Sequence, residues 1–392
     1  MKGHIRQRGK KSWELKFDAG RDPATGARQI QYVSFRGTKR EAQVKLAELI
    51  AAVSKSEYVE PNKITVAAHV SARIAHWEAA GDISAKTAER YGELAENQII
   101  PHLGPKLLQK LRPLDIEAWH ATLRTAGRKD GAGGVSGRTI INAHRVLSKA
   151  LREAARHDLV LKNVAAEEGA PKAESDEIVI LTEDEFNVVM TKLPGRALYV
   201  PAITSLCTGL RRGELLAGRR CSVDFNAKVF KVREALEETK KHGVRFKATK
   251  TKSGRRDVSL PDVVVEALRE HMKRQLEERL ALGIGKPPDD ALLFPAPLSE
   301  EPQSPRQFSK RWDETAEAIG LGKITFHALR HTHASHLIDA GIDVVKISKR
   351  LGHASPNITL QIYAHLFQRR EDKVADAINS VIDAALAGRK AS

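Results

Sequence analysis

The spacing of apolar residues changes character along this chain, and no single layer of secondary structure can satisfy all of it. Near the start, WELKFDAG and RQIQYVSFRG read as short alternating segments. From Gln29 to Arg36, Ile30, Tyr32, Val33 and Phe35 are set among polar residues, which suits a strand. DPATGA between the two segments carries Pro and Gly, so a β-hairpin is expected. Thr38 can then cap a helix, TKREAQVKLAELIAAV, with Ala42, Leu46, Leu49, Ile50 and Val53 on one stripe. From about Ile64 to Val164 the period becomes helical. With 392 residues, the chain is long enough for two or three domains.

Four helices are read in that second region. They are ITVAAHVSARIAHWEAA, then SAKTAERYGELAENQIIPHLG with Pro101 and Gly104 ending it, then LRPLDIEAWHATLR with Asp115 near its cap. After the Gly-rich loop GRKDGAGGVSG comes SGRTIINAHRVLSKALREAARHDLV, whose Ile140, Ile141, Val146, Leu147, Leu151 and Ala155 are spaced for a core face. EEGAPKAESDEIVIL, with Pro171, reads as a linker. Beyond it, Thr182 caps LTEDEFNVVM, and VFKVRE with GVRFKATKTKSGRRDVSLP forms a small sheet with a hairpin. The expected class is mainly α with small β-sheets (α+β). Its parts are a sheet-plus-helix module over residues 1–60, a helical bundle over 61–168, a linker over 169–178 and a mixed domain over 179–392. The last part ends in a helical stripe of Val374, Ile378, Val381, Ile382 and Ala385.

Charge narrows the function. Lys and Arg number 65 against 49 Asp and Glu, a formal charge of +16. That favours a polyanionic partner, and nucleic acid is the commonest. A basic protein with no such partner is the competing reading of charge alone. The candidate contacts are Arg6, Arg8, Lys10 and Lys11 in the first module, with Lys16 near them. In the bundle they are Lys86, Arg90, Arg138, Arg145 and Lys149, with Arg152. Cys207 and Cys221 fall in stretches read as buried or nearly so, and two cysteines make neither a disulfide framework nor a zinc site. MKGHIRQRGKKSW lacks the apolar stretch of a secretory signal, and no 18-residue apolar window exists. The expectation is a chain working in a reducing cytoplasm, away from membranes.

Five segments toward the C-terminus carry candidate chemistry, each weak alone. In TGLRRGELLAGRR, Arg211 and Glu214 lie three apart near a helix start. Arginine suits bidentate phosphate contact, and Glu214 can hold the guanidinium, although a surface ion pair reads the same way. In KATKTKSGRRDVSLP, Lys252 is placed at a hairpin tip, with Lys250 one pleat away. Such a lysine can deliver a proton, contact a phosphate or face solvent. In TFHALRHTHASHLIDAG, His327 and Arg330 project to one side, with His331, His333 and His336 close by. His327 and His331 are four apart, but the glutamate of the zinc-protease motif and a third ligand are missing, so no metal is expected. In KRLGHASPNIT, His353 follows a glycine that can end a helix, and in ITLQIYAHL, Tyr363 lies on a short helix ten residues later.

The order Arg, Lys, His-x-x-Arg, Leu-Gly-His, Tyr resembles the catalytic domain of tyrosine recombinases, the phage integrase family, over about Ile180 to Leu366. The bundle resembles that family's core-site-binding domain, and the first 60 residues more loosely resemble its small arm-binding module, a three-stranded sheet plus helix. Two arginines from separate segments, Arg211 and Arg330, would then clamp the non-bridging oxygens of a phosphodiester. The resemblance implies that Tyr363 attacks phosphorus to give a 3′-phosphotyrosine and a free 5′-hydroxyl. It further implies Lys252 as general acid, His327 as acceptor or relay for the tyrosine proton, His353 on the scissile phosphate and Glu214 in support. Surrounding positive charge should help Tyr363 ionise. No cofactor or ATP is implied. The implied partners are double-stranded DNA attachment sites, a homotetramer on DNA, and DNA-bending or excisionase proteins; the C-terminal stripe either packs on its own domain or, as the family implies, docks onto a neighbouring protomer of that tetramer. The alternatives are a type IB topoisomerase-like enzyme and a non-catalytic DNA-binding regulator.

Overall fold

The computed structural model describes residues 3–21, 25–55, 57–172, 178–248, 254–322, 324–368, 378–379 and 382–383. The chain divides into two compact units, Met1–Ser175 and Asp176–Ser392, a boundary inside the stretch read as a linker. Small antiparallel sheets stand among many helices, the α+β architecture expected.

The first unit opens with a three-stranded antiparallel sheet of β1 (His4–Gly9), β2 (Ser12–Arg21) and β3 (Arg28–Arg36), with β2 in the middle. On β2 the strand period sends Trp13, Leu15 and Phe17 to one face, where all are buried. Helix α1 (Lys39–Ser54) covers them with Ala42 and Leu46, while Leu49, Ile50 and Val53 pack at the edge. Thr38 and Glu41 close a capping box at its start. The three strands match the expected sheet; β1 carries almost no apolar alternation and exists because its backbone pairs with β2, for example Ile5 with Leu15. One detail departs from the sequence reading. Ile30 and Tyr32 lie outward on β3, since Val33 and Phe35 already occupy the core face and a strand alternates strictly.

The bundle follows: α2 (Val66–Ala79), α3 (Ala85–Leu94), a π-helical turn over Ala95–Ile99, α4 (Ile100–Leu103), α5 (Pro113–Ala126), α6 (Gly137–Arg156) and α7 (Val164–Glu168). Its core gathers Trp77, Ile99, Leu108, Ile116, Trp119, Leu123, Ile140, Leu147 and Leu151. Pro101 does not end the helix as expected. It lies in the first turn of α4, where a missing N–H costs little, and the π turn just before it re-registers the hydrogen-bond ladder. Gly104 is the C-cap.

The second unit begins with α8 (Glu183–Lys192), α9 (Tyr199–Thr208) and α10 (Arg212–Leu216). Strands β4 (Val223–Asp224) and β5 (Val229–Val232) follow, then the hairpin β6 (Glu234–Thr239) and β7 (Gly243–Ala248), and β8 (Arg256–Ser259). The expected single sheet is two: β5 lies between β4 and β8, and β6 pairs with β7. The hairpin turn is therefore at residues 240–242. The expected placement of Lys252 at a hairpin tip, with Lys250 one pleat away, falls outside the described residues. Helices α11 (Asp262–Ala281), α12 (Pro305–Ile319), α13 (Phe326–Asp339), α14 (Val344–Leu351) and α15 (Pro356–Gln368) complete the unit. One large core centres on α9, with Leu215, Phe230, Leu293, Phe308, Trp312 and Leu329. A smaller one joins Ala334, Ile338, Ile347, Leu351 and Tyr363. Cys221 is exposed, contrary to the sequence reading, because the 3-10 turn carrying it lies on the surface, and Cys207 is half-buried. Among the described residues no helix is long and apolar enough to cross a membrane. Of the C-terminal stripe, Val374, Val381 and Ala385 lie outside the described residues, and Ile378 and Ile382 are exposed.

Candidate active site

The second unit brings Arg211, Glu214, Arg330, His353 and Tyr363 around one turn, residues 351–353, where α14 ends. The chain can reverse there because Gly352 takes the left-handed conformation at φ 68°. Arg211 Nη2 donates to Gly352 O at 3.0 Å, and Arg330 Nη2 donates to Leu351 O at 2.8 Å. Two guanidiniums from distant segments are thus tied to neighbouring carbonyls. Arg330 Nη1 also donates to Gly209 O, and its side chain is 3% exposed. Gly209 has φ 68°, and a Cβ there would lie 2.7 Å from both His333 Cδ2 and Leu351 Cδ2. Only glycine lets α9 end with its carbonyl so close to Arg330.

Arg211 is the N-cap of α10, and Glu214 is its N3 residue. The Glu214 carboxylate accepts from Arg211 N at 3.0 Å and Arg211 Nη1 at 2.7 Å. It also accepts from Arg256 at 3.1 and 2.8 Å, an arginine the sequence reading passed over. Burial pushes the Glu214 carboxyl up, but Arg256 and Arg211 more than offset this and hold it below its ordinary value. Arg256 Nε in turn donates to Arg350 O at 2.7 Å. Arg350 donates to His333 Nε2 at 3.0 Å and to Cys207 O at 3.1 Å. Four arginines share this region with one buried carboxylate, so the site holds excess positive charge suited to an anion that becomes more highly charged during reaction. Burial and Arg211 lower the Arg330 guanidinium to about 9, so it is still cationic at neutral pH.

His353 is half-buried beside this pair. Its Nε2 meets Arg330 Nη2 at 3.0 Å and its Nδ1 meets Thr359 Oγ1 at 2.8 Å. Arginine can only donate, so Nε2 accepts and Nδ1–H donates to Thr359. Burial, then Arg330 and Arg211, lower its pKa to about 4. His327 is exposed one turn ahead of His331, their rings 4.6 Å apart. Partial desolvation, then Arg330 and Arg211, hold His327 below its usual range.

Tyr363 is 1% exposed and packs in the small core of α13, α14 and α15. α15 breaks its helical geometry at this residue, with φ −118° and ψ 15°. The phenol oxygen lies 2.7 Å from Nδ1 of His331, not His327. Burial pushes the phenol up to about 12, and Arg330 opposes this only in part. Positive charge therefore acts on the phenol in the expected direction, and burial outweighs it. His331 stood among the quoted histidines without a role, and no spacing in HALRHTHAS separates it from its neighbours.

The candidate nucleic-acid contacts lie in the first unit. Arg6, Lys10 and Lys11 are exposed, and Arg8 pairs with Glu14 at 2.7 Å. Arg6 and Arg8 share the uncovered face of the sheet with Lys16 and Tyr32. Arg138 and Arg145 are exposed on α6, in line with Lys149, whose Nζ lies 3.8 Å from the Trp77 ring centroid. Lys86 and Arg90 pair with Glu89 and Glu93 on α3. Among the described residues no cluster of His, Cys, Asp or Glu could hold a metal ion.

Comparison with known proteins gives the same direction. The profile of the phage integrase family matches residues 180–370, and that of the phage integrase N-terminal SAM-like domain matches residues 74–124. An integrase of Streptomyces ambofaciens is 27% identical over 364 residues, 90% of this chain and 88% of its own length. The Tn1549 transposon integrase, solved with a circular intermediate DNA, superposes with a TM-score of 0.65 at 22% identity, over 80% of this chain and 99% of that one. A lambda integrase tetramer bound to a Holliday junction gives a TM-score of 0.50 at 20% identity, over 90% of this chain and 96% of that one.

Proposed function

This chain belongs to the phage integrase family of tyrosine recombinases and is a site-specific DNA recombinase of the kind mobile elements carry; on that premise we propose that Tyr363 is its nucleophile and that Arg211, Arg330 and His353 bind the scissile phosphate. The observation that carries the assignment is the shared anchoring of Arg211 and Arg330 on the carbonyls of Gly352 and Leu351, the two residues before His353. Both guanidiniums are fixed before DNA arrives, so little reorganisation is needed when charge develops on the phosphate. Glu214 with Arg256 holds Arg211 in place. Tyr363 forms a bond to phosphorus as the bond to the 5′-oxygen breaks, giving a 3′-phosphotyrosine. Lys252 protonates the leaving 5′-oxygen; its place between β7 and β8 follows from the sequence alone. The covalent link stores the phosphodiester's energy, so rejoining needs no ATP.

The substrate of this reading is double-stranded DNA carrying specific attachment sites. The basic stripe of α6 and the uncovered face of the first sheet supply its other contacts. The tetramer of the lambda enzyme on a Holliday junction supports a tetrameric synaptic assembly here, and bending or excisionase proteins are further candidate partners. The test is a suicide substrate nicked near the cleavage site. Tyr363→Phe should bind it with near-normal affinity and form no covalent adduct. Adduct formation by that variant would refute the assignment.

A further inference from the structure

We infer that His331 takes the proton of Tyr363 during strand cleavage and returns it during rejoining. The inference rests on the nucleophile assignment above and deepens it. Tyr363 is buried, so its phenolic proton needs an acceptor and a way out. His331 Nδ1, at 2.7 Å, is the hydrogen-bond partner of the hydroxyl among the described residues. His331 is itself only half-buried, so part of it reaches solvent. A buried hydroxyl donates to the acceptor it has, which makes Nδ1 the acceptor and leaves the imidazole proton on Nε2. Further along α13, the exposed His327 ring lies edge-on to that of His331 and provides the next station outward.

The step balances. As the Tyr363 oxygen bonds to phosphorus, its proton passes to Nδ1, and the 5′-oxygen leaves with a proton from the general acid. In rejoining, the 5′-hydroxyl attacks, and the imidazolium returns its proton to the departing phenolate. The charged and titratable groups facing His331 are His327 and Arg330 on α13, His353 on the turn, and Tyr363 on α15. Burial, then His327 and Arg330, hold His331 at about 4, while burial holds the phenol at about 12, so the proton stays on the tyrosine in free protein. A DNA phosphate at Arg211 and Arg330 brings negative charge that raises the histidine, and the transition state adds more. DNA therefore arms the pair, and a free nucleophile is avoided without it.

The test compares His331→Asn, Tyr363→Phe and wild type in single-turnover cleavage of the nicked substrate. Asparagine keeps an acceptor near the position of Nδ1 but cannot take a proton. His331→Asn is expected to bind DNA normally and cleave about 10²-fold more slowly at pH 7, the low end for general-base loss. Its rate should keep rising with pH where wild type levels off. A more acidic 3,5-difluorotyrosine at position 363 should restore at least part of the rate in that variant. Cleavage by His331→Asn within threefold of wild type, with Tyr363→Phe inactive, would overturn the inference alone. An adduct with Tyr363→Phe would instead overturn the nucleophile assignment beneath it.

Discussion

Both units of this protein bury histidines, and they use them for different ends. In the bundle, His120 Nε2 meets His144 Nδ1 at 3.1 Å, and His69 Nε2 meets Ala150 O at 3.0 Å. Each has a hydrogen-bond partner within the bundle. In the second unit, His353 and His333 meet arginines, and His331 meets a tyrosine. Desolvation depresses the pKa in both settings, to about 4 for His120 and about 4 for His331. Burial and a shifted pKa therefore do not mark a catalytic histidine. What distinguishes the second unit is excess positive charge beside a polarisable hydroxyl.

That contrast can be broken most severely at the arginines. Arg211→Ala should slow single-turnover cleavage by about 10³-fold while specific DNA binding, read by gel shift, falls far less. A loss of only a few-fold would remove it from the phosphate site. Glu214→Gln leaves Arg211 and Arg256 without their shared counter-charge, and Glu214 is 4% exposed. Thermal melting should report a loss of about 3 kcal/mol, with cleavage reduced as well. Gly209→Ala forces a Cβ into left-handed backbone against His333 and Leu351, and should cost about 1–2 kcal/mol by the same measurement. Cleavage should also fall, since the Gly209 carbonyl anchors Arg330.

The smallest effect at neutral pH is expected in the bundle. Replacing His120 and His144 together by Leu removes both partners of one buried hydrogen bond, so stability at pH 7 should change by less than about 1 kcal/mol and cleavage should not change. Acid separates the two proteins. The folded pKa of His120 lies below its ordinary value of 6.5, so the unfolded chain takes up the proton first. The wild type therefore keeps its full stability above pH 6.5 and loses it as pH falls toward 4, by at most about 1.4 kcal/mol per unit from this residue. His144 is depressed in the same direction. The double-Leu variant should melt above wild type at pH 5. Equal melting curves at pH 5 would show that the pair does not carry the acid sensitivity.

The sequence disclosed much of this because its strongest signals are local. Caps at Thr38 and Thr182 and the strand period of Trp13, Leu15 and Phe17 rest on neighbours in the chain, and all appear in the structure. The order of Arg211, Arg330, His353 and Tyr363 was equally legible, as was the placement of Glu214 three residues after Arg211. Arg256 was not, because nothing in SGRRDVSLP distinguishes it from Arg255; its role depends on meeting Glu214 across 42 residues of chain. The partner of the tyrosine was missed for a similar reason. His327 and His331 are one turn apart on α13, and only the packing of α15, with its break at Tyr363, decides which one the phenol meets.

The central claim is that a tyrosine buried against His331 becomes covalently joined to DNA. Trapping the wild-type protein on the nicked substrate, digesting it with protease and sequencing the DNA-linked peptide by mass spectrometry tests this directly. The predicted result is a single modified peptide bearing the 3′-phosphate adduct on Tyr363. An adduct on another residue, or cleavage with no adduct at all, would contradict the account.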